Sequence, residues 1–310
     1  MPGPTLLHSV SYSGSWGQWF LPVDEFIDKA AYLGFDGVML MAKRPHLSPL
    51  DYPPTPLGMI RNRLEKSGLK HLVIAGYTNF TADMEHSEVP NVEIQIQHTM
   101  ELVRLAAGLG GSLVRIFTGY EHPAASFGAQ WNRVVGALRE CSQRAAVFGV
   151  TIGVQNHHDI GVGYESMHDL IAAVNEPNCR AFFDAWAPAL HGADLGAAAR
   201  KLGPVTAHTT VADYQLRPRY KYEPALVNYT RETAYTQAVP MGEGFIDYQT
   251  FFDGLMESGF RGGVAYEMCS PLLHGGSVDT LDRYARKFLE YIEAYRDRRS
   301  PVTESPQHSS

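Results

Sequence analysis

The chain has 310 residues, 45% of them hydrophobic and 19% charged, with a formal net charge of −7 at pH 7. This is ordinary globular composition, and the length suits one α/β barrel, which commonly takes about 250 residues. The acidic balance argues against a nucleic-acid partner, no apolar run reaches membrane length, and Cys141, Cys179 and Cys269, far apart in no metal-like spacing, read as reduced thiols rather than a disulfide framework.

The predicted elements alternate strand and helix from end to end. LLHSVSY is the first strand, and the helix VDEFIDKAAYLG follows, with Asp24 near its start and Gly34 as its stop. GVMLMAK, LKHLVIAG and SLVRIFTG are the next strands. They are separated by helices around PLGMIRNRLEKSG and VEIQIQHTMELVRLAAGLG, and NRVVGALRECSQRAAVFG follows the third of them. Four further apolar runs, GVTIGVQNHHD, CRAFFDAW, PVTAHTTVAD and RGGVAYEMCS, complete the strand set. Their helices are ESMHDLIAAVN, ADLGAAARKLG, DYQTFFDGLMESG and TLDRYARKFLEYIEAYR. About eight such units with no linker between them predict an α/β fold, a single-domain (β/α)8 TIM barrel over residues 1–296. Residues 297–310, polar and rich in Pro and Ser, are expected to form a disordered tail. The long stretch from Asp213 to Gly244, rich in Tyr and Arg, is expected to be an irregular functional loop or a subunit contact. The N-terminus carries no signal pattern, and a soluble, cytoplasmic protein with no membrane partner is expected.

The last four strands each close on a polar side chain: Gln155, Asp184, His208 and Glu267. Strand residues two apart share a face, so Gln155 and His157 point inward with Thr151 and Gly153, and small residues lie beneath the polar ends. Active sites of parallel barrels form at the C-terminal ends of the strands. Two carboxylates, one imidazole and one amide oxygen there make an oxygen-rich set that suits a single divalent cation, Mn²⁺ in preference, with Mg²⁺ or Co²⁺ as alternatives.

From EFIDKAAYLGFDGVML to GEGFIDYQTFFDGLMESGFRGGVAYEM, with MGEGFIDY and the YEM strand end as its most specific pieces, the chain resembles the xylose isomerase-like barrel superfamily. That superfamily includes sugar-phosphate isomerases and epimerases, ketose 3-epimerases and endonuclease IV-type nucleases. The resemblance implies Glu, Asp, His and Glu as metal ligands, falling on Gln155, Asp184, His208 and Glu267. Gln155 departs from it, because an amide cannot serve as a base and the two-carboxylate mechanism of the epimerases is impaired. The histidine that often follows the sixth-strand aspartate is also missing from DAWAP, which disfavours a nuclease.

The chemistry implied is removal of a proton next to a carbonyl of a sugar, with a metal-stabilised enolate. With Gln155 unable to act, His157 is the candidate base, and His158 takes that role if the strand ends early. His158 or Asp159 is otherwise placed to orient His157. Lys43, Arg44 and His46 after the second strand, Arg115 at the fourth, Trp186 after the sixth and Arg217 in the long loop are candidate substrate contacts. The substrate class is a small carbohydrate or glycoside. The reaction expected is sugar isomerisation or epimerisation. The alternatives are a lyase of the C-glycoside deglycosidase branch, eliminating an aromatic aglycone from a 3-oxo-glycoside, and a non-catalytic sugar-binding barrel. A homo-oligomer, or a hetero-oligomer with a smaller subunit, is expected.

Overall fold

The computed structural model describes residues 2–86 and 88–299. Eight parallel strands close into a barrel: β1 (Thr5–His8), β2 (Gly37–Met41), β3 (His71–Ala75), β4 (Leu113–Ile116), β5 (Thr151–Gln155), β6 (Cys179–Asp184), β7 (Thr206–Val211) and β10 (Val264–Tyr266). Their order round the barrel is β1, β10, β7, β6, β5, β4, β3, β2. The helices packed outside are α1 (Val23–Leu33), α2 (Pro54–Lys66), α3 (Asn91–Gly108), α4 (Phe127–Ala146), α5 (Tyr164–Val174), the short α6 (Trp186–Leu190), α7 (Leu195–Leu202), α8 (Tyr248–Glu257) and α9 (Val278–Arg299). No helix among the described residues is long and apolar enough to cross a membrane.

Local chemistry sets the helix boundaries as expected. Asp24 and Glu25 sit in the first turn of α1, and Gly34 ends it with φ 93°. Ser126, Asp194 and Asp247 cap α4, α7 and α8 by accepting backbone N–H bonds from Ala129, Ala197 and Thr250. Period-two alternation divides the strand side chains between two cores. Ile152, Val154 and Phe183 face the helices, while Leu6, Met39, Val73, Ala75, Phe182 and Ala265 fill the barrel interior. β1 is shorter than LLHSVSY, because Ser9–Tyr12 turn into a 3-10 helix. The last helix continues through 297–299, beyond the expected end of the barrel, and 300–310 of the expected tail lie outside the described residues.

The stretch from Asp213 is not an irregular loop. It forms an antiparallel hairpin, β8 (Asp213–Glu223) and β9 (Asn228–Val239), inserted between β7 and α8. The alternation of Tyr, Arg and Thr suits a two-sided exposed ribbon, and one extra residue in β9 opposite Pro218 shifts the register between Arg217 and Arg219. Its root is anchored by Asp213, whose buried carboxylate accepts N–H bonds from Gly242 and Gly244 at 2.9 Å and from Tyr214 at 3.0 Å. This is the physical content of the MGEG phrase. A side chain at Gly244 would overlap Asp213 Oδ1, so only glycine lets the backbone close round the carboxylate. Gly244→Ala is therefore expected to lower stability by about 1–3 kcal/mol in urea unfolding; an unaltered midpoint would mean that the Asp213 anchor does not hold the hairpin root.

Candidate active site

The barrel mouth is bounded by a closed ring of contacts. Glu267 Oε2 lies 3.7 Å from His8 Nε2, and His8 Nε2 lies 3.2 Å from an Arg115 amino group. The Arg115 guanidinium is 4.2 Å from the Phe117 ring centre and 4.9 Å from that of Tyr77. Phe117 packs on His157 (4.7 Å between ring centres), His157 on Trp186 (6.2 Å), and Trp186 on Tyr214 (5.4 Å). Tyr214 Oη meets Cys269 Sγ at 3.3 Å, and Cys269 Sγ returns to Glu267 Oε1 at 3.6 Å. A cavity of about 250 Å³ opens beside this ring, lined by Tyr120, His157, His158, Asp184, Trp186 and Leu190 among others.

Asp184 lies below the ring and is saturated with donors. Trp186 N–H donates to Oδ1 at 2.8 Å, and Gln155 Nε2 and Thr210 Oγ1 each donate to Oδ2 at 3.0 Å. Asn156 clamps its backbone, donating to the Asp184 carbonyl at 2.9 Å and accepting its N–H at 2.7 Å. Burial raises the Asp184 carboxyl above its usual range, and the three donors and the Arg115 charge oppose that rise. Glu267 has only the weak Cys269 thiol, at 3.6 Å from Oε1. Burial first, then the charge of Asp184, pushes it up to about 7.

The expected fourth member of this group, His208, is not in it. β6 pairs with β7 so that Asp184 faces Thr210 and Phe182 faces His208, after a register shift between Ala181 and Phe182. His208 shares the inward face of Thr210 but sits one layer deeper. There it stacks on Phe182 at 4.9 Å, donates Nδ1–H to the Thr209 carbonyl at 3.0 Å, and leaves Nε2 without a partner. β7 ends at Val211, so its last inward side chain is Thr210. Counting back from the strand end would have found it; the metal affinity of imidazole drew attention to His208 instead.

His157 is placed at the mouth but is not oriented as a base. Its Nδ1 accepts the N–H of His158 at 2.9 Å, so a neutral ring carries its proton on Nε2 and presents a donor. Burial, and next the charge of Arg115, lower His157 to about 4; burial, His157 and Arg115 lower His158 to about 3. Both are neutral imidazoles near pH 7. His158 is held with φ 65° and its ring lies between Phe117 and Tyr120, with Nδ1 buried and unpartnered. Asp159 accepts the Glu121 N–H at 2.8 Å and makes no hydrogen bond to His157.

The other expected contacts separate. Lys43 sits over the Tyr77 ring at 4.1 Å, near the mouth. Arg44 forms an exposed two-point bond to Asp51, and His46 is buried with both ring nitrogens engaged, by Ser9 Oγ and the Leu21 carbonyl, each at 3.0 Å. Neither faces the cavity: the loop's own folding consumes them. Arg217 donates to Gln237 across the hairpin. Trp186 is at the mouth, with Nε1 buried and unpartnered, as are Tyr77 Oη, Arg115 Nε and Gln155 Oε1. Buried polar atoms are normally paired, so this concentration marks a place built for a polar ligand. Sequence reasoning missed His8, Tyr77, Thr210 and Tyr214 here, because each reaches the mouth only through strand register.

The donor set does not fit the divalent cation that the fold family implies. Two of four positions are a neutral amide and a hydroxyl where the resemblance implies a carboxylate and an imidazole, which leaves Asp184 and Glu267 as the charged donors. Among the described residues, the acidic and histidine group compact enough to hold a metal ion is Asp83, Glu85 and His86, exposed in the loop after β3.

Residues 27–294 match the xylose isomerase-like TIM barrel family, and the chain belongs to it. No curated protein matches the sequence. Among solved structures, D-psicose 3-epimerase from Clostridium cellulolyticum H10 is similar at a TM-score of 0.72 and 17% identity, over 94% of this chain and 99% of that one. The D-allulose 3-epimerase from Methylomonas sp. gives 0.70 and 16%, over 95% and 98%. A xylose isomerase domain protein from Alicyclobacillus acidocaldarius subsp. acidocaldarius gives 0.71 and 16%, over 96% and 100%.

Glu267 has a distinct pH signature. Its pKa is about 7 folded against an ordinary value of 4.5, so the folded chain holds the extra proton between those values. Stability contributed by that proton is present at low pH and falls as pH rises through the window, by up to about 1.4 kcal/mol per pH unit. Urea unfolding of Glu267→Gln in EDTA-treated buffer should lose this component, read as the difference from wild type between about pH 4.5 and 7. An identical slope in both would show that Glu267 is ionised throughout.

Proposed function

We propose that this protein is a carbohydrate isomerase or epimerase that moves a proton on a carbon next to a carbonyl, with isomerisation the better fit. The observation that supports it is the unequal treatment of two carboxylates at one mouth: Asp184 takes three N–H and O–H donors, Glu267 only the weak thiol of Cys269 at 3.6 Å. A weakly bonded carboxylate whose pKa lies near neutrality is suited to accept and return a proton. The neutral His157, with its proton on Nε2, is suited to donate to the carbonyl oxygen as negative charge develops there. His157 thus serves as donor, and Glu267 replaces it as the base.

In the proposed step Glu267 takes the α-proton and becomes a carboxylic acid, and the electron pair moves to the carbonyl oxygen beside His157. Return of that proton to the neighbouring carbon, with proton transfer between the two oxygens, converts a ketose to an aldose. Epimerisation at one carbon needs an acid on the opposite face, where Gln155 cannot supply one. The names of the similar structures, epimerases of D-allulose and D-psicose, support a sugar as substrate.

The test is proton NMR of aldoses and ketoses in deuterated water. Solvent deuterium should enter at the carbon next to the carbonyl as the sugar rearranges. Glu267→Gln should lower kcat by about 10²–10⁴-fold. His157→Ala should cost about 10²-fold, and His157→Gln, which keeps an N–H, should recover part. Full turnover in Glu267→Gln sinks this assignment. Release of a free aglycone from a 3-oxo C-glycoside, with no sugar rearranged, would replace isomerisation by elimination.

A further inference from the structure

The relation between Arg115 and the two carboxylates carries an inference that does not depend on the reaction. Arg115 is 2% exposed, at the inner end of β4. Its NH1 donates to the Gly76 carbonyl at 2.9 Å, its plane lies between Tyr77 and Phe117, and Nε has no partner. A buried guanidinium is always charged, and a charge taken out of water needs opposite charge nearby. An Arg115 amino group reaches His8 Nε2 at 3.2 Å, and that atom lies 3.7 Å from Glu267 Oε2; the Arg115 charge opposes the rise that burial imposes on the Glu267 and Asp184 carboxyls. The amide and the hydroxyl level with Asp184 are neutral and bonded to its Oδ2, so a cation there would meet two carboxylates and otherwise only weak neutral oxygens, with a fixed guanidinium nearby.

We propose that Arg115 provides the fixed positive charge of this centre, and that the strand ends have no site for a divalent cation. A buried guanidinium this close to the strand ends repels a divalent ion there, a penalty on the order of a hundredfold in affinity. Arg115 is a positioning residue: it sets the field in which Asp184 and Glu267 sit.

Calorimetric titration of Mn²⁺ into the EDTA-treated, full-length protein tests this without any turnover. The Asp83→Asn/His86→Ala variant serves as background, to remove the exposed loop group. No saturable binding that depends on Asp184 is expected. Gln155→Glu/Thr210→His in the same background turns two donors into ligands and should acquire one Mn²⁺ per chain. Adding Arg115→Met to it should tighten that binding about a hundredfold, with Arg115→Lys retaining the weaker affinity; a purely structural arginine would not move it. One Mn²⁺ per chain in the background variant, lost on Asp184→Asn, overturns the proposal, and that comparison stands even if Arg115→Met fails to fold. Because nothing here measures activity, failure of the isomerase reading leaves the outcome unaffected, and the reverse also holds.

Discussion

The mouth of this barrel is organised by the three hydrogen bonds that converge on Asp184. A buried carboxylate costs several kcal/mol unless donors replace the lost water. Trp186, Gln155 and Thr210 supply them from the α6 turn, β5 and β7. Satisfying Asp184 fixes the orientation of the Gln155 amide and seats the loop that carries Trp186. Asn156 adds two backbone bonds that tie the end of β5 to that of β6. The next residue along is His157, so the placement of that ring follows from the same clamp.

With Asp184 occupied, Glu267 becomes the different partner. It sees a thiol, an imidazole and a buried guanidinium, none of which gives it a close bond. Two buried carboxyls at one barrel mouth therefore have separate proton affinities because their neighbours differ, the general route by which a site acquires one group able to exchange protons near neutrality. The imidazoles run the other way. Burial and the charge of Arg115 keep His157 and His158 neutral, and neutrality lets each serve as a directional donor or a flat packing surface.

The strand and helix pattern was plainly written in the chain, since alternating β-branched runs and amphipathic helices leave few other arrangements. Gln155, Asp184 and Glu267 were legible for the same reason: each lies at the end of a strand or just past it, where parity gives the direction. His208 shows where such reading stops. Its parity was correct, but β7 runs on to Val211, so His208 lies one inward position short of the mouth and Thr210 takes its place. Arg44 and His46 were misplaced for a related reason, because their partners Asp51, Ser9 and Leu21 come from loop folding. The tyrosine-rich stretch read as a loop because aromatics alternating with charged residues carry no apolar face. A ribbon exposed on both sides needs none.

That ribbon has a consequence for how the molecule behaves in a crowded solution. Along most of their length β8 and β9 pair only with each other among the described strands, so their outer backbone groups could template further chains. Pro218 removes one amide opposite the bulge in β9. Arg217, Lys221 and Arg231, with Arg219 paired to Glu232 at 3.6 Å, leave positive charge in excess along the protrusion. Neighbouring copies that approach ribbon to ribbon meet electrostatic repulsion before their tyrosines can stack. The same residues that decorate the hairpin thus guard it against fibrillar self-association.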